Sequence, residues 1–171
     1  GYEGPGRYEA AGRPEYAALV AAGSEIWLDT GDRAAAESVW SPEVCGLTTN
    51  NTLINQVVQT GRLDETIQTV GRRMREAWPD MSPADLIMEV AFVLNARIGL
   101  ELVQRFGAKV SVELHPDIAD DWEATVAFGK RYFAICPDRF IIKVPMTPAG
   151  FLAVRALSEA GCAGRRRRRS G

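Results

Sequence analysis

A lysine stands in the middle of an apolar run in the stretch FIIKVPMTPAG, residues 140–150. Burial among apolar groups favours the neutral form of a lysine, and a neutral amine is a nucleophile toward a carbonyl carbon. The product is a Schiff base, which acts as an electron sink for carbon–carbon bond cleavage. Lys143 could therefore be a catalytic nucleophile, or it could be an edge residue whose ammonium group reaches solvent.

Two carboxylates follow other apolar segments and could move the protons that this chemistry requires. Asp29 lies in IWLDTGD and Glu113 lies in VSVELHP. Positioned carboxylates, with a water, can shuttle protons while a carbinolamine forms, loses water to become the Schiff base, and a carbon–carbon bond then breaks. Simpler roles stay open, because Asp29 could cap the next helix and Glu113 could face solvent or pair with Lys109.

The apolar runs and helical patterns predict the elements that must position these groups. Strands are expected at residues 24–29, 43–49, 108–114 and 139–145, and helices at 8–22, 32–40, 50–61, 63–78, 82–107, 117–135 and 147–161. Strands joined by helical crossovers pair in parallel, so the predicted class is α/β. The carboxyl ends of parallel strands lie at one edge of the sheet, and the polar groups there should line a single site. They are Asp29, Thr48, Thr49, Asn50, Glu113 and Lys143.

Composition narrows the classes of protein that this sequence can encode. The 171 residues are 46% hydrophobic and 25% charged, which fits one globular domain. Five arginines at residues 165–169 mask an acidic remainder with 15 basic and 22 acidic residues. This balance argues against nucleic acid as a partner, although the arginine run could bind RNA, DNA or anionic lipid weakly.

Cysteine and histidine usage predicts neither a disulfide framework nor a metal site. Cys45, Cys136 and Cys162 are scattered, which is typical of reduced thiols, and His115 is the single histidine. No glycine-rich phosphate motif supports nucleotide binding. No apolar run approaches the roughly 18 residues of a membrane span, and no signal peptide is recognisable. We expect a cytoplasmic protein without cofactor, metal or membrane association.

Four motifs together resemble those of the transaldolase family, in the order and at the spacing found there. They are IWLDTGD, GLTTNNTLI, VSVELHPDIADD and FIIKVPMTPAGFLAVRALSEAG, and they cover about residues 24–161. The resemblance implies a (β/α)8 barrel transferase of the pentose phosphate pathway. Such an enzyme moves a dihydroxyacetone unit between sugar phosphates through a lysine Schiff base, without metal or organic cofactor.

The resemblance also implies a role for each matching residue. Lys143 would form the Schiff base, Glu113 would act as acid and base through a water, and Asp29 would accept the substrate hydroxyl proton during cleavage. The implied substrate-binding residues are Asn50, Thr48, Thr49 and Thr147. One position departs from the family, which usually has proline after TTN where this chain has Asn51. We interpret this departure as a looser loop that loses no reactive group.

By this resemblance the chain holds about four of the eight βα units of a TIM barrel. Residues 1–23 would form an N-terminal extension and helix, residues 24–161 the N-terminal half of the barrel, and residues 162–171 a disordered basic tail. A half barrel leaves two strand edges open, so we expect a homo-oligomer or association through those edges. The alternative function is a non-catalytic homologue that acts only by association with itself or with a missing half.

Overall fold

The computed structural model describes residues 3–162, in which four strands alternate with seven α-helices and one short 3-10 helix. The strands are β1 (Ile26–Asp29), β2 (Val44–Thr48), β3 (Lys109–Glu113) and β4 (Phe140–Lys143). The helices are α1 (Pro14–Ala21), α2 (Arg33–Val39), α3 (Asn51–Gln59), α4 (Asp64–Ala77), α5 (Pro83–Phe106), α6 (Trp122–Ile135) and α7 (Pro148–Glu159). Apart from Cys162, the expected basic tail lies outside the described residues.

The four strands form one open parallel sheet in the order β1-β2-β3-β4. Each strand is connected to the next by one or more helices, which is the arrangement of a partial α/β barrel. The predicted α/β class and the four βα units are confirmed. Among the described residues, no helix is both long enough and apolar enough to cross a membrane.

Local sequence signals account for the ends of α5, the longest helix. The Ser82 hydroxyl accepts a hydrogen bond from the Asp85 amide at 3.1 Å, and Pro83 occupies the first turn, where its missing N–H costs nothing. Gly107 ends the helix with a φ of 66°, a left-handed conformation that glycine adopts without strain.

Two predicted helices are shorter in the structure than the sequence pattern indicated. The helix expected at 117–135 is divided into a 3-10 turn, Pro116–Ile118, and α6. Asp121 makes the division, because its carboxylate accepts from the Ala124 amide at 2.9 Å and caps α6. The first helix begins at Pro14 instead of residue 8, since the residue before a proline favours extended backbone, as Arg13 does here.

The core lies between one face of the sheet and the helices. Leu47, Val110, Val112 and Phe140 occupy this covered face, and each is at most 1% exposed. Helix α5 approaches closely at Gly99, where a Cβ atom would lie 2.8 Å from the Phe140 ring. Because side chains alternate along a strand, the residues next to these four along each strand point to the opposite face. We call this the open face, because its residues at the strand ends, Lys143 and Glu113, are 43% and 23% exposed.

Candidate active site

Lys143 and Glu113 end two neighbouring parallel strands and face each other. They are register partners in the β3–β4 pair, and the Lys143 Nζ lies 3.1 Å from the Glu113 Oε1. The side chains are 43% and 23% exposed, respectively. Of the two environments that the sequence left open for Lys143, a buried one and one that reaches solvent, the structure shows the second. The structure nevertheless brings the predicted nucleophile and the predicted acid/base into direct contact.

Asp29 and Thr48 form a second pair, at the ends of β1 and β2. They are also register partners, and the Thr48 hydroxyl donates to the Asp29 Oδ1 at 2.6 Å. Asp29 does not cap α2, because the cap is Asp32, whose carboxylate accepts from the Ala35 amide at 2.7 Å. The carboxylate of Asp29 is thus exposed at the strand end, with one oxygen held by a hydroxyl.

Register places both pairs on the open face. Thr48 pairs with Ser111, and Glu113 lies two residues beyond Ser111 on the same strand. Residues two apart on a strand point to one face. Neighbouring strands are about 4.8 Å apart, so β1 and β4 are separated by roughly 14 Å along the sheet. Among the described residues no ion pair joins Asp29 to Lys143, although both pairs lie on the same face.

The other predicted substrate-binding residues serve as local anchors in this structure. The Asn50 side chain caps α3 by accepting from the Leu53 amide at 2.8 Å. Thr49 is fully buried, and its hydroxyl donates to the Ser111 carbonyl at 2.9 Å, away from the open face. Thr147 caps α7 by accepting from the Gly150 amide at 2.9 Å, and its hydroxyl donates to the Ala119 carbonyl. Thr49 is thus not gathered with Lys143.

Asn51 is the functional candidate that sequence reasoning missed. Its backbone amide and its side-chain Nδ2 both donate to the Glu113 Oε2, at 3.0 and 3.1 Å. The Nδ2 also donates to the Leu114 carbonyl at 3.2 Å. The sequence interpretation of a looser loop is wrong here, because Asn51 ties the start of α3 to the end of β3.

The backbone of Glu113 is held from the helix side as well. The Asn95 Nδ2 in α5 donates to the Glu113 carbonyl at 2.9 Å. Asn95 and Tyr132 border a cavity of about 20 Å³ behind the strand end, which is room for one water. Burial raises the pKa of the Tyr132 phenol, and a hydrogen bond with Asn95 opposes part of that rise. Glu113 thus rests on a packed support, although its carboxylate faces the open side.

The four parallel strands that alternate with helices in one open sheet, with a lysine–carboxylate pair at its carboxyl edge, are consistent with a partial α/β barrel. The chain matches the model of the Transaldolase/Fructose-6-phosphate aldolase family over residues 26–163 and belongs to this family.

Curated relatives include the transaldolase of Xanthomonas euvesicatoria pv. vesicatoria (strain 85-10), which is 30% identical over 144 residues and matches 81% of this chain and 44% of its own length. The transaldolase of Mycobacterium ulcerans (strain Agy99) is 29% identical over 164 residues, with 89% and 43% covered. Transaldolase 2 of a Nostoc species (strain PCC 7120) is 27% identical over 150 residues, with 81% and 39% covered. The chain spans about two fifths of the length of these relatives.

Proposed function

We propose that this chain carries the Schiff-base centre of a transaldolase-type transferase, which moves a dihydroxyacetone unit between sugar phosphates. The observation that carries the proposal is the contact of 3.1 Å between Lys143 and Glu113 at adjacent strand ends, in a chain that belongs to the transaldolase and fructose-6-phosphate aldolase family. The reaction would belong to the pentose phosphate branch of carbohydrate metabolism in the cytoplasm, and it would use no metal or organic cofactor.

Lys143 would act first, once its ammonium group has given one proton to Glu113, directly or through a water. The neutral Nζ attacks the ketone carbon of the sugar phosphate, a carbon–nitrogen bond forms, and the ketone oxygen takes the proton from Glu113 to become the hydroxyl of a carbinolamine. Glu113 then accepts a proton from the nitrogen and gives it to this hydroxyl, which departs as water as the carbon–nitrogen double bond forms, leaving a protonated Schiff base and an ionised Glu113. The contact between the two side chains places this proton transfer within reach.

Asp29 would act in the cleavage step. Its carboxylate takes the proton of the substrate hydroxyl next to the scissile bond, the bond breaks to release an aldose phosphate, and the electron pair moves into the Schiff base. The Thr48 hydroxyl fixes one oxygen of Asp29 at 2.6 Å. Side chains that point toward a barrel axis converge, which would bring Asp29 toward Lys143 in a closed barrel. The amide of Asn50 would hold substrate oxygens, with Thr48 and Thr147 as supporting groups, and Thr49 would act only by tying the end of β2 to the Ser111 carbonyl.

The test uses borohydride to trap the Schiff base. We expect incubation with dihydroxyacetone followed by reduction to add one three-carbon unit to the intact mass of the chain, and Lys143→Arg to abolish the adduct. Absence of an adduct in the unaltered chain would contradict the proposal.

Two further variants separate the proposed roles of the carboxylates. Glu113→Gln should slow adduct formation with dihydroxyacetone itself. Asp29→Asn should leave that adduct intact and slow only the release of the aldose phosphate from fructose 6-phosphate. Equal effects of the two variants on both reactions would contradict the division of roles.

A second candidate function is association without catalysis, and one surface favours it. Apolar side chains just after β4 and on α7 are strongly exposed, with Met146 at 88%, Phe151 at 65% and Leu152 at 56%. We propose that this surface and the open strand edges bind a second copy or another half barrel. Light scattering at tens of micromolar should give more than the monomer mass, and Phe151→Ser should lower it. A monomer in both cases would contradict association.

A further inference from the structure

The carboxylate of Glu113 is held from two sides, and each oxygen has its own partner. Oε2 accepts two hydrogen bonds from Asn51, at 3.0 and 3.1 Å, and Oε1 faces the Lys143 Nζ at 3.1 Å. Two donors from one residue on the same oxygen limit rotation of the carboxylate about its terminal bond. The second oxygen is consequently directed at the lysine.

This support is needed because the ion pair alone is partly exposed. Exposed pairs of long side chains gain little free energy and sample several geometries. Asn51, in contrast, is fixed by its place at the first position of α3 and by the bond from its Nδ2 to the Leu114 carbonyl at 3.2 Å. The amino end of α3 also carries a partial positive charge that favours a carboxylate there.

We propose that Asn51 is a positioning residue that keeps Glu113 aimed at Lys143 and thereby speeds formation of the Schiff base. The proposal rests on the proposed function for its catalytic consequence, but the positioning itself does not. Proline, the residue that the family usually has here, offers neither a backbone N–H nor a side-chain amide. Residue 51 would therefore decide whether α3 restrains the acid/base group.

A spectroscopic experiment tests the positioning without any need for activity. In NMR spectra recorded during acid titration, protonation of Glu113 should shift the backbone and side-chain amide resonances of Asn51 together. Both shifts should disappear in Glu113→Gln. Asn55, on the exposed side of the same helix, is the control resonance and should not respond. Asn51 resonances that behave alike in the unaltered chain and in Glu113→Gln would overturn the proposal.

A graded series tests the catalytic consequence. Asn51→Ala keeps the backbone donor and loses the side-chain donor, whereas Asn51→Pro loses both and is still compatible with the first position of a helix. We expect the rate of borohydride-trapped adduct formation to fall roughly ten-fold in Asn51→Ala and further in Asn51→Pro. The matched control Asn55→Ala should react at the unaltered rate.

The outcomes separate this inference from the proposed function. If the unaltered chain forms no adduct, the proposed function fails, and the NMR titration still decides whether Asn51 restrains Glu113. If the adduct forms and Asn51→Ala, Asn51→Pro and Asn55→Ala all react at the unaltered rate, the positioning role is overturned while the proposed function stands. Thermal unfolding of each variant checks that a lower rate does not reflect loss of the fold.

Discussion

The two faces of the sheet are built from the same strands and serve different purposes. On the covered face, Val110 and Phe140 are at most 1% exposed and pack under α5. On the open face, Glu113 and Lys143 form an ion pair that is partly exposed to solvent. The alternation of side chains along a strand therefore separates residues that stabilise the fold from residues that could perform chemistry.

The difference between the two faces predicts that neighbouring residues of β4 differ strongly in how much their truncation lowers the free energy of unfolding. Phe140→Ala removes a buried ring from the covered face and should lower the free energy of unfolding by about 3–5 kcal/mol. Ile141→Ala, one residue later on the open face and partly exposed, should cost about 1 kcal/mol. Urea denaturation measures both values. Equal costs would show that the two faces are not energetically distinct.

Two helical glycines differ in the space around them, so replacing each with alanine should change the stability of the chain in opposite directions. A Cβ atom at Gly99 would lie 2.8 Å from the Phe140 ring, so Gly99→Ala should destabilise the chain by about 1–3 kcal/mol. At Gly71, in α4, nothing lies within 4 Å of that position, and Gly71→Ala should stabilise by about 0.5–1 kcal/mol. Thermal unfolding of the two variants gives the signs. A stabilising Gly99→Ala would contradict close packing of α5 on the sheet.

The buried phenol of Tyr132, in α6, should make the free energy of unfolding depend on pH. Burial raises its pKa, so the stability that the neutral phenol provides is present below the unfolded value of about 10 and is lost as the pH rises beyond it. The slope from one group is at most about 1.4 kcal/mol per pH unit. We expect the free energy of unfolding to fall less steeply above pH of about 10 in Tyr132→Phe than in the unaltered chain. A slope unaltered by Tyr132→Phe would contradict burial of the phenol.

The smallest effects on stability are expected at the open face. Lys143→Met and Glu113→Gln break a partly exposed ion pair and should each change the free energy of unfolding by less than about 1 kcal/mol. The same Lys143→Met substitution should abolish the Schiff-base adduct. Chemical denaturation and borohydride trapping on the same samples check both statements. A decrease of several kcal/mol in the free energy of unfolding would instead show that the ion pair stabilises the fold.

Much of the fold could be predicted from the sequence, because local signals mark the elements. Apolar runs mark all four strands, and Ser82, Pro83 and Gly107 mark the ends of α5. The break before α6 was missed although Asp121 is a typical capping residue, since the helical pattern appeared continuous. Such errors concern boundaries and do not alter the class of fold.

The site could be predicted less completely, for physical reasons. Glu113 and Lys143 are in contact because of the register between β3 and β4, and this register arises only when the strands pair in the folded chain. The exposure of Lys143 depends on which face of the sheet the helices cover. The opposite orientations of Thr48 and Thr49 follow from strand alternation and could have been anticipated. The bond from Asn51 to Glu113 joins residues 62 positions apart, and no local pattern predicts it.

The central claim is that Lys143 alone is poised to form a Schiff base, and the chain provides its own controls. It contains three lysines, namely Lys109, Lys130 and Lys143. The other two are exposed and lie at the start of β3 and in α6. After trapping with dihydroxyacetone and borohydride, peptide mapping should find nearly all of the adduct on Lys143. Adduct spread evenly over the three lysines would contradict the account.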